Sequence, residues 1–527
     1  MVRGSQQMGF TMPKQMPRPR LPKRMPDRHR AGALVLLALL TLPFLHGAGA
    51  TGDPFVPEQL CVNLEPGYTI EEVNQRWGTE LLFSLPFDNL YLLRKEGIDD
   101  LEAFAEEMNG DSAVSVSEAN YRVWSPEAVR QMVVGAIGGT WDDYQDQQIG
   151  ERIGLDDAHL RSRGAGTTIA ILDTGLDPDH IAFDGRLSQQ GHDFVDGDPH
   201  PWETYNGIDD DGDGVTDAGY GHGTMVAGIA ALVAPEATLL PVRVLNDEGR
   251  GDIYTVAMGI VHALLHGADV INMSFGTPEP TSVIGIPLGW ANDLDVYTVA
   301  GAGNENREEP PYYPANDSLT LMITALDSLD VKADFADFHD HVVVSAPGVG
   351  VRSAYPEDEW GLGSGCSFAT PFVTGEIALV LSLLPEITRA EMLPRIEGAV
   401  DPIYHLPGNE PYLEKLGTGR VFLPLSVSSA GLPESAAHLA AVRAWPNPAI
   451  GPIRFELPAG PGPAEGLEVA ILDAAGRHIR SLRASAGQQT LRWSARDASG
   501  VAVPSGLYFA QLRRGGATRS LPLIVVR

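Results

Sequence analysis

The sequence predicts an α/β chain: a parallel sheet with helices on both faces, preceded by a small α+β unit and followed by a small all-β sandwich. Three observations predict it. Between Thr167 and Ser345, apolar strand-like runs alternate with helix-like stretches, the order that builds a parallel sheet. Residues 57–122 read β-α-β-β-α-β, the split ferredoxin-like order. From Ala430 onward the texture changes to short alternating runs separated by turn residues, which suits a sandwich.

The chain has 527 residues and a formal net charge of −32, room for roughly two to four domains with their own cores. The charge is uneven. Residues 1–30 carry eight Lys/Arg and one Asp, and residues 436–527 carry eleven Arg, no Lys and five Asp/Glu. The acid is therefore concentrated in the middle, which speaks against nucleic acid as a partner and fits bound cations or a salty milieu. The two cysteines, Cys61 and Cys366, fall in different expected domains, so no disulfide is expected to hold the fold.

In chain order, a basic start ending at Arg28-His29-Arg30 leads into the Ala/Leu-rich run Ala31–Leu45, and Ala48-Gly49-Ala50 offers the small residues that an export peptidase reads. Residues 1–50 are expected to be a signal peptide, with Met25 as a second candidate start. A membrane anchor is the other reading, for which the run is short. In the α+β unit, Leu60–Leu64 is a strand ended by Glu65-Pro66-Gly67, Ile70–Trp77 a helix, Leu81–Leu85 and Leu90–Leu93 strands, Ile98–Met108 a helix and Ala113–Asn120 a strand. A unit this small folds marginally alone. Residues 123–150 lack periodicity and read as an exposed joint.

Thr167–Leu172 is a buried strand running into Asp173-Thr174-Gly175. Strands at Leu239–Val244, Val270–Met273, Val296–Ala300, Leu321–Ala325 and Val342–Ser345 follow, with a helix over Ile253–His266. In such sheets the chemistry collects at the carboxyl ends of the strands. The last domain shows runs Gly466–Leu472, Gln489–Trp493 and Leu507–Leu512, reached through a Ser/Gly/Pro-containing linker at about 428–440.

Four short stretches carry candidate chemistry. Ser367, in G-S-G-C-S-F-A-T-P, opens an apolar helix, with Pro371 expected in or near its first turn. A serine there is a good N-cap, and it is also where orphan N–H groups favour a developing oxyanion. His222, in Gly221-His222-Gly223-Thr224, is either a plain helix-start histidine or a base working near neutral pH. Asn304 closes Ala300-Gly301-Ala302-Gly303, as a turn former or an amide donor. Asp173 could orient the histidine. Together Asp173, His222, Asn304 and Ser367 supply an orienting acid, a base, an oxyanion donor and a nucleophile. Asp173-Thr174-Gly175 also spells the aspartic-protease signature, but that chemistry needs two carboxylates and the chain has no second D-T-G.

A separate signal lies in Asn206–Asp217, where Asp209, Asp211 and Asp213 alternate ahead of Gly214, the start of a calcium-loop pattern, with Asp217 as a late ligand. Tyr220 stands where a full EF-hand has its bidentate Glu. A solvated acidic loop is the plainer alternative.

The segments A-I-L-D-T-G, G-H-G-T-M-V-A-G-I, A-G-A-G-N and G-C-S-F-A-T-P resemble those of the subtilisin-like serine proteases, in that family's order Asp, His, Ser. The resemblance runs from about Gln147 to Val427. It implies a subtilisin-like fold, Asp173, His222 and Ser367 as the triad and Asn304 as oxyanion donor. It also implies that Gly249–Gly251 and Ser274-Phe275-Gly276 flank an extended polypeptide substrate, adding it as a strand. Gly303 and Glu305 would border the pocket for the residue before the cut, with Glu305 making a basic residue acceptable there. Acidic inserts ahead of the histidine in such proteases strengthen the calcium reading. Two departures are Cys366 and Phe368, where the family usually has Thr and Met. Cys366 as nucleophile is the sharp alternative, and a packing thiol the plainer one.

Residues 57–122, through P-G-Y-T-I-E-E-V-N-Q-R-W-G and S-E-A-N-Y-R, resemble the family's inhibitory propeptide. W-P-N-P, L-D-A-A-G-R and V-P-S-G-L-Y-F-A-Q-L resemble a FlgD-like or secretion-sorting β-sandwich, for which sorting, cell-surface attachment and substrate contact remain open. The expected organisation is a signal peptide over 1–50, a propeptide over 51–124, a joint with the maturation site over 125–146, a catalytic domain over 147–427, a linker over 428–440 and the sandwich over 441–527. The expected protein is a secreted or cell-surface, calcium-stabilised serine endopeptidase with its own propeptide as inhibitor. The rival is a non-catalytic secreted adhesin or scaffold, which would not need all four positions filled.

Overall fold

The computed structural model describes residues 54–428 except 85–88, 131–132 and 310, and beyond them 443–445, 449, 451–457, 467–473, 476–485, 488, 490–514 and 517–526. The expected signal sequence and all of the linker after 428 lie outside the described residues.

The first module holds β1 (Phe55–Leu64), α1 (Ile70–Trp77), β2 (Glu80–Ser84), β3 (Leu90–Arg94), α2 (Leu101–Met108) and β4 (Val114–Trp124). Its strands lie in the order β2-β3-β1-β4, the ferredoxin-like arrangement read from the sequence. Helix α1 starts at a capping box between Thr69 and Glu72 and stops at Gly78. Helix α2 starts three residues later than its apolar pattern suggests, because the Asp100 side chain accepts from the Ala103 N–H at 2.9 Å and fixes the N-cap there.

The stretch expected as an exposed joint is instead folded against the main domain. It holds α3 (Pro126–Arg130), β5 (Val133–Val134), α4 (Trp141–Gln145) and the start of α5 (Gln148–Ile153), and α6 (Leu155–His159) follows. Single anchors rather than a periodic face hold it. Ser125 and Glu127 are fully buried, and buried Tyr144 stacks on Trp360 and donates its hydroxyl to the Gly228 carbonyl at 2.6 Å. Anchors of this kind leave no period to detect.

The main domain contains β6 (Thr168–Asp173), β7 (His192–Asp193), α7 (His222–Val233), β8 (Thr238–Arg243), β9 (Arg250–Asp252), α8 (Ile253–Leu265), β10 (Val270–Met273), α9 (Ser282–Asp293), β11 (Tyr297–Gly301), β12 (Thr320–Leu326) and β13 (Val342–Pro347). It continues through β14 (Val351–Tyr355), β15 (Glu359–Gly363), α10 (Cys366–Leu383), α11 (Arg389–Gly398), β16 (Val400–Asp401), β17 (Arg420–Val421) and α12 (Leu423–Ser426). The main sheet runs β16-β17-β13-β12-β11-β10-β6-β8-β7. From β17 to β7 every neighbouring pair is parallel. The strands β6, β10 and β11 end side by side at Asp173, Met273 and Gly301, so the loops that follow them converge.

Helix α10 is apolar all round and buried along most of its length, which is why it shows no amphipathic stripe. Pro371 is its sixth residue, not part of its first turn. The carbonyl that Pro371 leaves unpaired belongs to Ser367, and the Ser274 hydroxyl donates to it at 2.9 Å. The C-terminal domain pairs a sheet of β18 (Arg443–Trp445), β19 (Ile453–Glu456) and β22 (Thr490–Trp493) with a sheet of β21 (His478–Arg483), β20 (Glu468–Asp473), β23 (Gly506–Arg514) and β24 (Ala517–Val525). Both sheets bury residues in one core that includes Phe455, Val469, Trp493 and Leu512.

Candidate active site

Two strand ends and two helix starts deliver the four expected side chains to one place. Asp173 ends β6, His222 opens α7, and Ser367 is the second residue of α10. Asn304 follows β11 after Ala302-Gly303. All four are buried. The Asp173 Oδ1 accepts from His222 Nδ1 at 2.6 Å and from the Thr174 N–H at 2.8 Å. The Asn304 Oδ1 accepts from the Cys366 N–H at 2.9 Å, which turns the amide so that its Nδ2 donates to Glu127 Oε1 at 2.7 Å.

A residue that sequence reasoning missed completes the cluster. The Glu127 carboxylate lies between all the others. Its Oε1 accepts from Asn304 Nδ2 at 2.7 Å and from the Ser367 N–H at 3.3 Å. Its Oε2 accepts from the Ser367 hydroxyl at 2.6 Å and lies 3.2 Å from His222 Nε2. The Ser367 hydroxyl is also 3.0 Å from the Ser274 carbonyl. Space for the carboxylate comes from Gly365, where a Cβ would stand 1.8 Å from Glu127 Oε1.

Both ring nitrogens of His222 thus face carboxylate oxygens. Burial pushes the imidazole pKa down, but the Asp173 charge and the bonds to Asp173 and Glu127 outweigh it and raise it to about 10. Burial pushes Glu127 up, and the bonds from His222, Ser367 and Asn304 bring it net below the ordinary carboxylate value. A second missed carboxylate, Glu203, sits behind the pair. It accepts from the Thr174 hydroxyl at 2.5 Å and the Gly223 N–H at 3.1 Å, and it bonds the Thr224 hydroxyl, so it ties the Asp173 loop to the start of the His222 helix. Burial raises it to about 7. Neither glutamate stands in a motif, so no local signal could have marked them.

Cys366 does not face this cluster. Its sulfur donates to the Gly303 carbonyl at 3.0 Å, and burial pushes the thiol up to about 12, where it stays protonated and inert as a nucleophile. Both cysteines are free and buried. The Phe368 ring, fully buried, packs 5.5 Å from the His222 ring.

The expected substrate-binding segments are occupied by the chain itself. Strand β4 pairs antiparallel with β9, with Val123 opposite Gly251 and Trp124 opposite Arg250. The Trp124 N–H donates to the Gly276 carbonyl at 3.1 Å, the Gly276 N–H donates back at 3.0 Å, and the Ser125 N–H donates to the Gly249 carbonyl at 2.9 Å. Ser274 meets the nucleophile instead, and Phe275 is buried in the core. Gly303, at φ +117°, admits the Tyr312 ring, which a Cβ would meet at 2.4 Å. The Glu305 carboxylate pairs with Arg307 at 2.6 Å and accepts from the Tyr312 hydroxyl at 3.1 Å.

Of the four expected metal ligands, the fold gathers three. Asp209, Asp211 and Asp213 bring one carboxylate oxygen each within 4.8 Å of one another. Their all-oxygen chemistry fits a hard cation, although Arg250 pairs with Asp211 at 2.5 Å. Asp217 is turned elsewhere, because its carboxylate accepts from the Gly207 N–H at 2.8 Å and the Asn206 N–H at 3.4 Å.

Comparison with known proteins agrees with this arrangement. Residues 164–400 match the model of the subtilase family, and residues 451–514 match the FlgD Ig-like domain. Among curated relatives, thermitase of Thermoactinomyces vulgaris is 36% identical over 42% of this chain and 77% of its own length. The thermophilic serine proteinase of Bacillus sp. (strain AK1) is 30% identical over 54% of this chain and 67% of its own. The crystal structure of fervidolysin from Fervidobacterium pennivorans, a keratinolytic enzyme related to subtilisin, aligns with a TM-score of 0.58 at 18% identity, covering 90% of this chain and 75% of that one.

Proposed function

Because the chain belongs to the subtilase family and is a subtilisin-like serine endopeptidase, we propose that Ser367 is its nucleophile, His222 its base, Asp173 the acid that orients the base, and Asn304 its oxyanion donor. The observation that carries this assignment is a single oxygen position, 2.7 Å from Asn304 Nδ2 and 3.3 Å from the Ser367 N–H, at which two donors converge beside the serine hydroxyl. A negative oxygen already sits there, so the donors are aimed at a place where negative charge is stabilised.

In the reaction, His222 Nε2 takes the Ser367 proton and Oγ attacks the peptide carbonyl, whose oxygen becomes the oxyanion held by Asn304 and the Ser367 N–H. His222 then gives the proton to the leaving amine, and water repeats the sequence in reverse to release the acid. The substrate main chain would lie as Val123–Ser125 does, bonded to Gly249, Gly251 and Gly276. Fluorophosphonate labelling and hydrolysis of an unfolded protein by wild type and Ser367→Ala test the assignment. Labelling and hydrolysis are expected only with the serine, and equal turnover by both would refute it.

The same proposal extends outward. Residues 1–50 direct export, so the enzyme is secreted or held at the cell surface. Residues 51–124 are the inhibitory propeptide, which the placement of β4 in the cleft supports. Calcium binds at Asp209, Asp211 and Asp213 and supplies structural charge neutralisation there, without a part in the chemistry. The sandwich that follows contacts a surface or secretion partner.

A further inference from the structure

We propose that the Glu127 side chain is the lock that keeps the uncut chain inactive, a carboxylate ligand held at once by the nucleophile, the base and the oxyanion donor. The proposal rests on the reading of residues 51–124 as an intramolecular inhibitor and places a further inhibiting group just beyond them, in the joint at 125–146.

The chain enters the cleft as a substrate would and then departs from that path. Up to Ser125 it pairs with Gly251, Gly276 and Gly249. At Pro126 it turns into the short helix α3. Proline suits this point, since its fixed φ and missing N–H fit the first helical position. The turn takes the main chain off the extended course, and the oxygen bound by Asn304 Nδ2 and the Ser367 N–H belongs to the Glu127 side chain, not to a peptide carbonyl. The module is anchored on both sides of the lock. Strand β4 pairs with β9 before it, and β5 pairs with β15 after it, with Val133 opposite Gly363.

Each contact disables a different catalytic step. The oxyanion donors are filled by a charge they cannot exchange for a neutral carbonyl without losing two charge-assisted bonds. The Ser367 proton is directed to Glu127 Oε2 and not to His222. The histidine, flanked by Asp173 and Glu127, is held with protons on both nitrogens, and an imidazolium cannot accept another. The lock is also one the enzyme cannot cut. A carboxylate is a poor electrophile, and attack on it would have to expel an oxide. The fit is tight: Glu127 is fully buried, and the Gly365 position tolerates no Cβ beside it.

The test uses the full chain, purified in denaturant and refolded, as wild type, Glu127→Gln and Glu127→Ala. A fluorophosphonate probe reports the free Ser367 hydroxyl, and intact mass separates label on the uncut chain from label on the processed enzyme. Glu127→Gln keeps the side-chain volume, so it guards against loss of folding. The lock predicts that the uncut Glu127→Ala and Glu127→Gln chains label at least about ten times faster than uncut wild type, while processed enzyme from all three labels alike. Equal, slow labelling of all uncut chains beside rapid labelling of processed enzyme would overturn the lock and leave the protease reading standing. Absence of labelling in every form, processed enzyme included, would overturn the protease reading and the lock with it.

Discussion

At the scale of residues, the site is governed by which groups carry charge. Asn304 holds its orientation through the Cys366 N–H, so Asn304→Ala removes the aimed donor and also the acceptor of that buried N–H. In an enzyme of this family, loss of such a donor costs about 10²–10³ in turnover. Steady-state kinetics of processed Asn304→Ala should show that fall in kcat with little change in KM. The His222–Glu127 contact makes a prediction of opposite sign at the two ends of the pH scale. His222 is raised to about 10, so its contribution to stability is complete below its unfolded value near 6.5 and fades as pH rises through about 10. Glu127 is lowered, so its contribution is complete above its unfolded value and fades as pH falls through its depressed one. Asp173 and Glu203 also surround the ring and share in the first effect. The thermal stability of uncut Ser367→Ala should exceed that of Ser367→Ala with Glu127→Gln most clearly between those limits, and a difference that does not change with pH would contradict the assignment. At Gly303, an added methyl meets Tyr312 at 2.4 Å and Asp337 at 2.2 Å in a left-handed conformation, so Gly303→Ala should cost roughly 1–3 kcal/mol of stability by strain alone.

Elements explain both what could be read in advance and what could not. The strands that carry the site announced themselves because buried parallel strands are continuous apolar runs, and β10 spans Val270–Met273 as its pattern predicts. The segments around Asp173, His222, Asn304 and Ser367 were legible because each function needs a local backbone device: a strand end, a helix start, a glycine before the amide. Glu127 was not, since its role arises from the pairing of β4 with β9 and a turn at Pro126, contacts distant in sequence. The stretch around it was read as a joint for the same reason. Helix α10 adds an unforeseen feature. Glu376 lies fully buried in it near Ser426, and burial raises it to about 8. A raised acid stabilises the fold below its unfolded pKa of about 4.5 and loses that contribution as pH rises through about 8. Glu376→Met should therefore raise the unfolding free energy by roughly 1–3 kcal/mol at pH 9, and by less at pH 5. Equal effects at both would contradict a proton-linked cost.

For the whole molecule, the first module and the main domain pack as one unit. The module's strand β4 pairs with β9, and its Glu118 accepts from the Thr281 hydroxyl at 2.5 Å and the Val283 N–H at 2.8 Å at the start of α9. The Asp209, Asp211 and Asp213 cluster lies near the same edge through Arg250 of β9. If calcium fills it at about a hundred times its dissociation constant, the fold gains about 2.7 kcal/mol. A chelator should then lower the unfolding temperature of wild type and leave Asp209→Asn with Asp213→Asn nearly unchanged, as calorimetry would read directly. If the gathered serine is a working nucleophile, the chain frees itself of the first module. Intact mass of the expressed protein, wild type beside Ser367→Ala with calcium present, is the test. Wild type is expected to lose the first module while Ser367→Ala retains it. Retention of the module by both proteins would contradict it.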